Sequence, residues 1–265
     1  DNLLFFTERG RVFQTKVYEI PAASRISKGK AIQNFLELSS DENVSAIVSY
    51  SDAELKAKGR SQSYLVMATK NGLIKKTLLK DFENIRRTGI IAISLKKGDI
   101  LKWVRLSGGQ DQAMITTEKG QSIRFKESQI RPMGRTAAGV HGMRLKGGDH
   151  VAGFDIIEGD DPKKVADGRL LVVMTNGFAK QTALKEYKVQ NRGGSGIRTA
   201  NITPKTGSLV AAKIIGGETE IFALSAKGQI IRTVLASVRT TGRAAQGVRI
   251  MNLKPGDRLI GIVLI

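Results

Sequence analysis

The feature that most constrains this sequence is a pattern that returns five times. An apolar strand, a turn closing on glycine and a second strand carrying basic residues run from Leu3 through Gly10 to Val17 and from Tyr64 through Gly72 to Thr77. The pattern recurs from Ala113 through Gly120 to Phe125, from Leu170 through Gly177 to Thr182, and from Ile221 through Gly228 to Thr233. Successive glycines lie 62, 48, 57 and 51 residues apart. Periods of this size belong to four-stranded blades of roughly 40 to 50 residues with loop insertions. One repeat cannot bury its own apolar face, whereas repeats stacked on one another can.

Two more anchors keep the same register. A polar turn runs from Gly134 to Gly139, with counterparts at 24–29, 84–89, 191–196 and 242–247. Asp99, Asp149 and Asp257 follow ten residues beyond the last glycine of their turns, each just after a glycine; Ser40 to Glu42 and Thr206 to Ser208 are weaker copies. These aspartates read as turn residues. Asn71-Gly72 and Asn176-Gly177 suit hairpin turns in which both residues take positive φ. Gln121 to Phe125 alternates polar and apolar, as a strand with one buried face does. Segments 51–63 and 158–169 read as polar surface insertions, with a short helix around Asp52 to Ala57. The expectation is one all-β domain over residues 1–265, a propeller-like disc of antiparallel four-stranded blades, with a solenoid as the alternative.

Charge is the second signal. Lys and Arg number 43 against 24 Asp and Glu, a net charge of +19. A small domain needs roughly 2 to 8 for solubility. An excess of this size favours a polyanion, nucleic acid before an anionic membrane surface. The basic residues also follow the repeat. Lys76, Arg124 and Arg232 stand four residues beyond the hairpin glycine, with Lys16, Lys75 and Lys180 close to that position. Arg25, Arg135, Arg192 and Arg243 sit in the polar turns, with Arg86 and Arg87 serving the second repeat. Lys30, Arg198 and Arg249 come just after the turn glycine. Repeated positions fall on one belt, so these fifteen residues are the predicted contacts to DNA phosphates, which position a duplex without reading its sequence. Aromatic residues are few and sit inside strand patterns, which favours duplex over single strand.

Other classes find little support. Without cysteine there is no disulfide framework and no Cys-ligated metal, and two histidines are too few for most His-rich metal sites. No run approaches the length of a membrane span, and the opening residues lack the basic start of a signal peptide. The chain reads as a fragment of a longer protein. Gly29-Lys30 lacks the rest of a phosphate loop. A propeller used only for protein interactions would scatter its basic residues without regard to the repeat.

Several of these stretches resemble one family. Val12 to Gly29, Lys75-Lys76-Thr77, Arg124-Phe125, Arg131 to Val140 and Gly242 to Arg249 are similar, in order, to the C-terminal domain of the DNA gyrase A subunit. The resemblance covers essentially the whole chain. It implies a β-pinwheel, in which neighbouring blades exchange strands, and six blades where five repeats are visible here. It also implies that duplex DNA wraps around the perimeter in support of negative supercoiling by the ATP-dependent holoenzyme. ATP and Mg would belong to that holoenzyme, with no cofactor in this chain. The partners implied are duplex DNA and, in an A2B2 complex, the rest of the gyrase A chain together with the gyrase B chain. No membrane is implied, and the location is the cytoplasm, on the bacterial chromosome. The cleavage tyrosine lies elsewhere in the gyrase A chain, so Tyr18, Tyr50, Tyr64 and Tyr187 receive no catalytic role. The family's gyrase box, Gln-Arg-Arg-Gly-Gly-Lys-Gly, belongs to the first blade and is missing. A degenerate copy stands at Gln190, Asn191, Arg192, Gly193, Gly194, Ser195 and Gly196. Without the full box, the equivalent domain of topoisomerase IV is the alternative.

Overall fold

The computed structural model describes every residue except 23, 25, 26, 52, 54, 56–61 and 160–166. Arg25 and most of the expected helix over 52–57 therefore lie outside the described residues. The strands are β1 (Asn2–Thr7), β2 (Arg11–Lys16), β3 (Val44–Tyr50), β4 (Tyr64–Thr69), β5 (Leu73–Leu78), β6 (Ile90–Ile91), β7 (Leu101–Ser107), β8 (Gln112–Thr117), β9 (Gln121–Lys126) and β10 (Val140–His141). They continue with β11 (Val151–Ile157), β12 (Arg169–Met174), β13 (Phe178–Ala183), β14 (Ile197–Arg198), β15 (Leu209–Ile215), β16 (Glu220–Ser225), β17 (Ile230–Val234), β18 (Val248–Arg249) and β19 (Leu259–Leu264). Short 3-10 turns follow β2, β5, β9, β13 and β17. The chain is all-β with a propeller-like arrangement of antiparallel sheets.

Two compact units divide it, residues 1–109 with 130–140, and residues 110–129 with 141–265. The first holds the sheet β3-β1-β2-β6 and the sheet built around β5, β4 and β7, with β10 on its β5 edge; the second holds β11-β8-β9-β14, β15-β12-β13-β18 and β17-β16-β19. Each two-residue strand comes from the next repeat: β6 pairs with β2, β14 with β9 and β18 with β13. This exchange is why residues 130–140 belong with the preceding repeat. The fifth sheet has three strands among the described residues, and its edge β17 exposes Ile230 and Val234.

Hairpin geometry follows from three side-chain positions. Gly10, Gly72, Gly120, Gly177 and Gly228 all take φ between 78 and 81°, while among the described residues no non-glycine has positive φ. Asn71 and Asn176 therefore do not use a left-handed conformation. The turn is an ordinary one followed by a left-handed glycine, rather than the two-residue form expected. Three residues before the glycine, Thr69 and Thr117 accept the N–H of Leu73 and Gln121 at 3.1 and 3.2 Å. Asp99 Oδ1 ties the turn from outside, accepting the N–H groups of Asn71 and Ile100 at 3.0 and 2.9 Å; Asp149 and Asp257 do the same in their repeats.

The expected alternation fails in the middle strands, because they are buried on both faces. Leu170, Val172 and Met174 pack with Met114, Ala152 and Ile157 of the third repeat. Leu171 and Val173 pack with Ile221, Ala223 and Leu235 of the fifth. A strand covered on both sides reads as a continuous apolar run. Ser122 to Phe125 is likewise fully buried, with Arg124 inside.

Candidate nucleic-acid interface

The site begins where one repeat hands its short strand to the last. Gly139, Gly196 and Gly247 close the polar turns with φ of 88, 71 and 87°. A Cβ at Gly139 would come within 2.6 Å of the Ile74 carbonyl oxygen, and Gly247 meets the Ala179 carbonyl in the same way. Only glycine lets the turn close against the receiving strand. The polar turns that carry Arg135, Arg192 and Arg243 are thus clamped to the edge of the preceding sheet.

Two lysines clamp them further. Lys75 and Lys180 are wholly buried. Lys75 Nζ donates to the Ala92 oxygen at 2.6 Å and to the Arg135 oxygen; Lys180 Nζ donates to the Gly242 oxygen at 2.8 Å and to the Arg243 oxygen. Burial above all, with Arg135 adding to it, pushes the Lys75 ammonium down to about 8. Burial likewise pushes Lys180 to about 8, with Glu186 pulling it back upward and Arg243 pressing it down. Desolvation disfavours the charged form, and carbonyl acceptors offset only part of that cost.

Arg124 has a related task one position later. It is 5 % exposed; its Nε donates to Gln112 Oε1 at 2.7 Å, and its Nη1 donates to the Leu184 and Tyr187 oxygens at 3.0 and 3.1 Å. Gln181 stands at the same position in its repeat and donates to the Leu235 and Val238 oxygens at 2.6 and 3.0 Å. Both cap the 3-10 turn of the next repeat. Lys76 is 4 % exposed, its ammonium 5.0 Å from the Tyr64 ring centroid. Lys75, Lys76, Arg124 and Lys180 were expected among the phosphate contacts. Their burial corrects that reading: a head group enclosed in protein is not presented to a duplex.

The remaining predicted residues reach the surface. Arg86, Arg87, Arg198, Arg232, Arg249 and Lys30 are exposed, and Lys16, Arg135, Arg192 and Arg243 are half-buried. Lys16 Nζ binds the Asn2 side chain. Arg232 is paired with Glu220 at 2.6 Å. Arg192 donates from Nε to the Gln129 oxygen at 3.3 Å and from Nη1 to the His141 oxygen; Arg243 Nη1 reaches the Arg198 oxygen at 3.1 Å. Each guanidinium has five donors, so both arginines staple their loop to the previous repeat and retain donors toward solvent. The degenerate box is held by the same repeat, with the Gly193 N–H on the Gly142 oxygen at 2.8 Å and the Arg144 N–H on the Gly194 oxygen at 2.9 Å.

Sequence reasoning missed one basic set. Lys96, Lys146, Lys205 and Lys254 each stand two residues before the glycine of the third anchor, and all four are exposed. Their register was visible in the sequence beside the Gly-Asp pairs. Among the described residues no group of three or more His, Cys, Asp or Glu could hold a metal ion. No helix among them is long and apolar enough to cross a membrane.

Comparison with known proteins places this geometry. Residues 1–50, 63–107, 111–158, 170–215 and 219–265 match the family model described as DNA gyrase C-terminal domain, beta-propeller. The DNA gyrase A chain of Staphylococcus epidermidis is 43% identical over 257 residues, which is 97% of this chain and 28% of that protein. A crystal structure of the C-terminal domain of DNA topoisomerase IV superposes with TM-score 0.86 and 25% identity, covering 100% of this chain and 79% of that one. The structure of a DNA gyrase A C-terminal domain gives TM-score 0.82 and 24% identity, covering 100% and 82%. The chain spans less than a third of the curated relatives it matches.

Proposed function

Since the chain belongs to the family of DNA gyrase C-terminal domains, we propose that it is a non-catalytic domain that wraps and bends duplex DNA. In the whole protein it would serve within the gyrase A chain, working with the gyrase B chain in ATP-dependent negative supercoiling. The observation that carries the DNA reading is the set of clamped loops bearing Arg135, Arg192 and Arg243. Each is fixed to a sheet edge by a glycine contact, and two are fixed by a buried lysine as well. Donors fixed in this way meet phosphates without further ordering, and bending a duplex by 40–90° over 20–30 base pairs costs on the order of 1–6 kcal/mol that such contacts must offset. The net charge of +19 supplies the attraction.

The test is DNA topology. Nicked plasmid ligated in the presence of the chain should shift in linking number, with a positive handedness of wrap, and the shift should grow with protein until saturation. Unchanged linking number at saturating binding would reduce the role to plain DNA binding. The 43% identity to a gyrase A chain supports gyrase over the equivalent topoisomerase IV domain; a strong wrap supports the same choice, and binding without a topological shift favours topoisomerase IV.

A further inference from the structure

We propose that the hairpin-turn ends of the sheets form a second phosphate-binding row, apart from the arginine loops, with a seat where the fourth and fifth repeats meet. This rests on the DNA-binding function proposed above and adds a second surface to it.

The seat is a cleft of about 250 Å³ lined chiefly by Asn176, Lys205, Arg249, Met251, Lys254 and Asp257. Three cations and one carboxylate face it. Asp257 is committed to the turn, accepting the N–H groups of Lys227 and Arg258 at 3.1 and 2.8 Å. Lys205 and Arg249 share one ring: the Lys205 ammonium lies 5.7 Å and the Arg249 guanidinium 5.2 Å from the Phe178 centroid. An aromatic face attracts cations without neutralising them, so both side chains bring their full charge to the cleft they line. Among the described residues no carboxylate makes an ion pair with Lys205, Arg249 or Lys254. Arg249 has the Asn252 side chain at 3.4 Å, and Asn176 Nδ2 secures the Lys205 turn by donating to the Pro204 and Lys205 oxygens at 3.0 and 3.2 Å. An anion in the cleft would supply the counter-charge that the three cations lack. Phe178 is itself buried, so no ring is free to stack a base, and a phosphodiester is the group that fits.

The pattern extends one repeat back. Lys119, Lys146 and Arg198 occupy the matching positions of the third repeat and its incoming strand, and all are exposed. Lys119 Nζ donates to the Gly147 oxygen at 2.7 Å, as Lys227 Nζ does to the Pro255 oxygen at 2.9 Å. Toward the start of the chain the row weakens: Ile91 and His141 stand where Arg198 and Arg249 do. Two registered sets of cations at different places on each sheet suit an extended polyanion, with duplex phosphates touching both.

The experiment titrates a duplex of some tens of base pairs with the whole chain at several salt concentrations. Wild type is compared with the triple variant Lys205→Gln, Arg249→Gln, Lys254→Gln and with Lys254→Gln alone, which leaves the Phe178 ring covered. Each phosphate contact adds about 0.9 to the log–log salt slope. The triple variant should lose roughly 2 to 3 from the slope, and the single variant about 1. A wild-type slope in both variants overturns the row while leaving the proposed function standing. A wild-type chain that does not bind duplex overturns that function and the row together. Variants that keep the DNA slope but lose affinity for poly-glutamate assign the row to an acidic protein and overturn the DNA assignment.

Discussion

Replacing Lys75 and Lys180 by methionine should change how stability depends on pH more than it changes stability at neutrality. Each ammonium titrates near 8 in the folded chain, against an ordinary value of 10.5. For a base with a depressed folded value, the unfolded chain holds more protons throughout that interval, so stability rises with pH from about 8 to about 10.5. A tenfold change in proton affinity is about 1.4 kcal/mol, which makes the ceiling roughly 3 kcal/mol per lysine. Methionine removes the titration and the charge penalty. It also leaves the carbonyls of Ala92 and Arg135, or of Gly242 and Arg243, without their donor, at about 1–3 kcal/mol for each acceptor left unmet. Near pH 7 the two effects oppose each other, and each single variant should lie within about 2 kcal/mol of wild type. By pH 9.5 the wild type has shed most of its penalty, so the deficit of each variant should have widened by about 2 kcal/mol. Urea unfolding at intervals from pH 7 to 9.5 measures the difference, and titrations common to both chains cancel. Parallel curves for wild type and variant across that range would refute the reasoning, since the lysines would then keep ordinary proton affinity despite their burial.

Arg124→Ala leaves two main-chain carbonyls and the Gln112 side chain without their donor; at about 1–3 kcal/mol for each acceptor left unmet, urea unfolding should show a clear loss of stability, whereas a rim contact would leave the midpoint unchanged. Gly247→Ala forces positive φ on alanine and drives its Cβ onto the Ala179 carbonyl, so a loss of at least about 2 kcal/mol is expected, read as a lower thermal midpoint. Arg232→Gln breaks an exposed pair with Glu220 and should alter stability by less than about 1 kcal/mol, with the same denaturation assay as the check. Arg135→Gln, Arg192→Gln and Arg243→Gln together should shrink the linking-number shift while duplex binding persists through the hairpin-end lysines; an undiminished shift would remove these loops from the wrapping path.

Repeat number, strand order within each hairpin and the three anchors were legible because each rests on local chemistry. A glycine must take positive φ, a threonine or serine hydroxyl three residues earlier caps the turn in four of the five repeats, and an aspartate after a glycine ties it in three. Strand exchange left no such local mark. The exchanged strands are two residues long, as in Val248–Arg249, too short for any periodicity to register. Burial of both faces was equally hidden, since the polar residues of β9 and β13 mimic an exposed face while their partners lie in the next repeat. The hairpin-end lysines escaped notice for a different reason: the Gly-Asp pair beside them has a complete structural explanation of its own.

Recurrence of charge with the repeat does not by itself separate a ligand contact from a structural one. A repeated chain that passes strands between neighbours has the same carbonyls to satisfy at every junction, so selection for a donor recurs with the same period as selection for a phosphate contact. Depth separates them. At three and four residues beyond the hairpin glycine the positions are interior, and lysine, arginine and glutamine alternate there: Lys75, Lys180, Arg124 and Gln181 each deliver N–H groups to the next repeat. Glutamine serves as well as arginine at that place, because the acceptors are neutral carbonyls and the requirement is for donors rather than for charge. In the fifth repeat the same position holds Arg232, which has turned outward to Glu220. Arg232 is exposed there, and among the described residues its guanidinium makes no bond to a neighbouring turn like those of Arg124 and Gln181. The positive charge left at the surface therefore lies largely where the backbone has been fixed by other means: on the clamped loops of Arg135, Arg192 and Arg243, on the short strands of Arg198 and Arg249, and on the turns that carry Lys96, Lys146, Lys205 and Lys254.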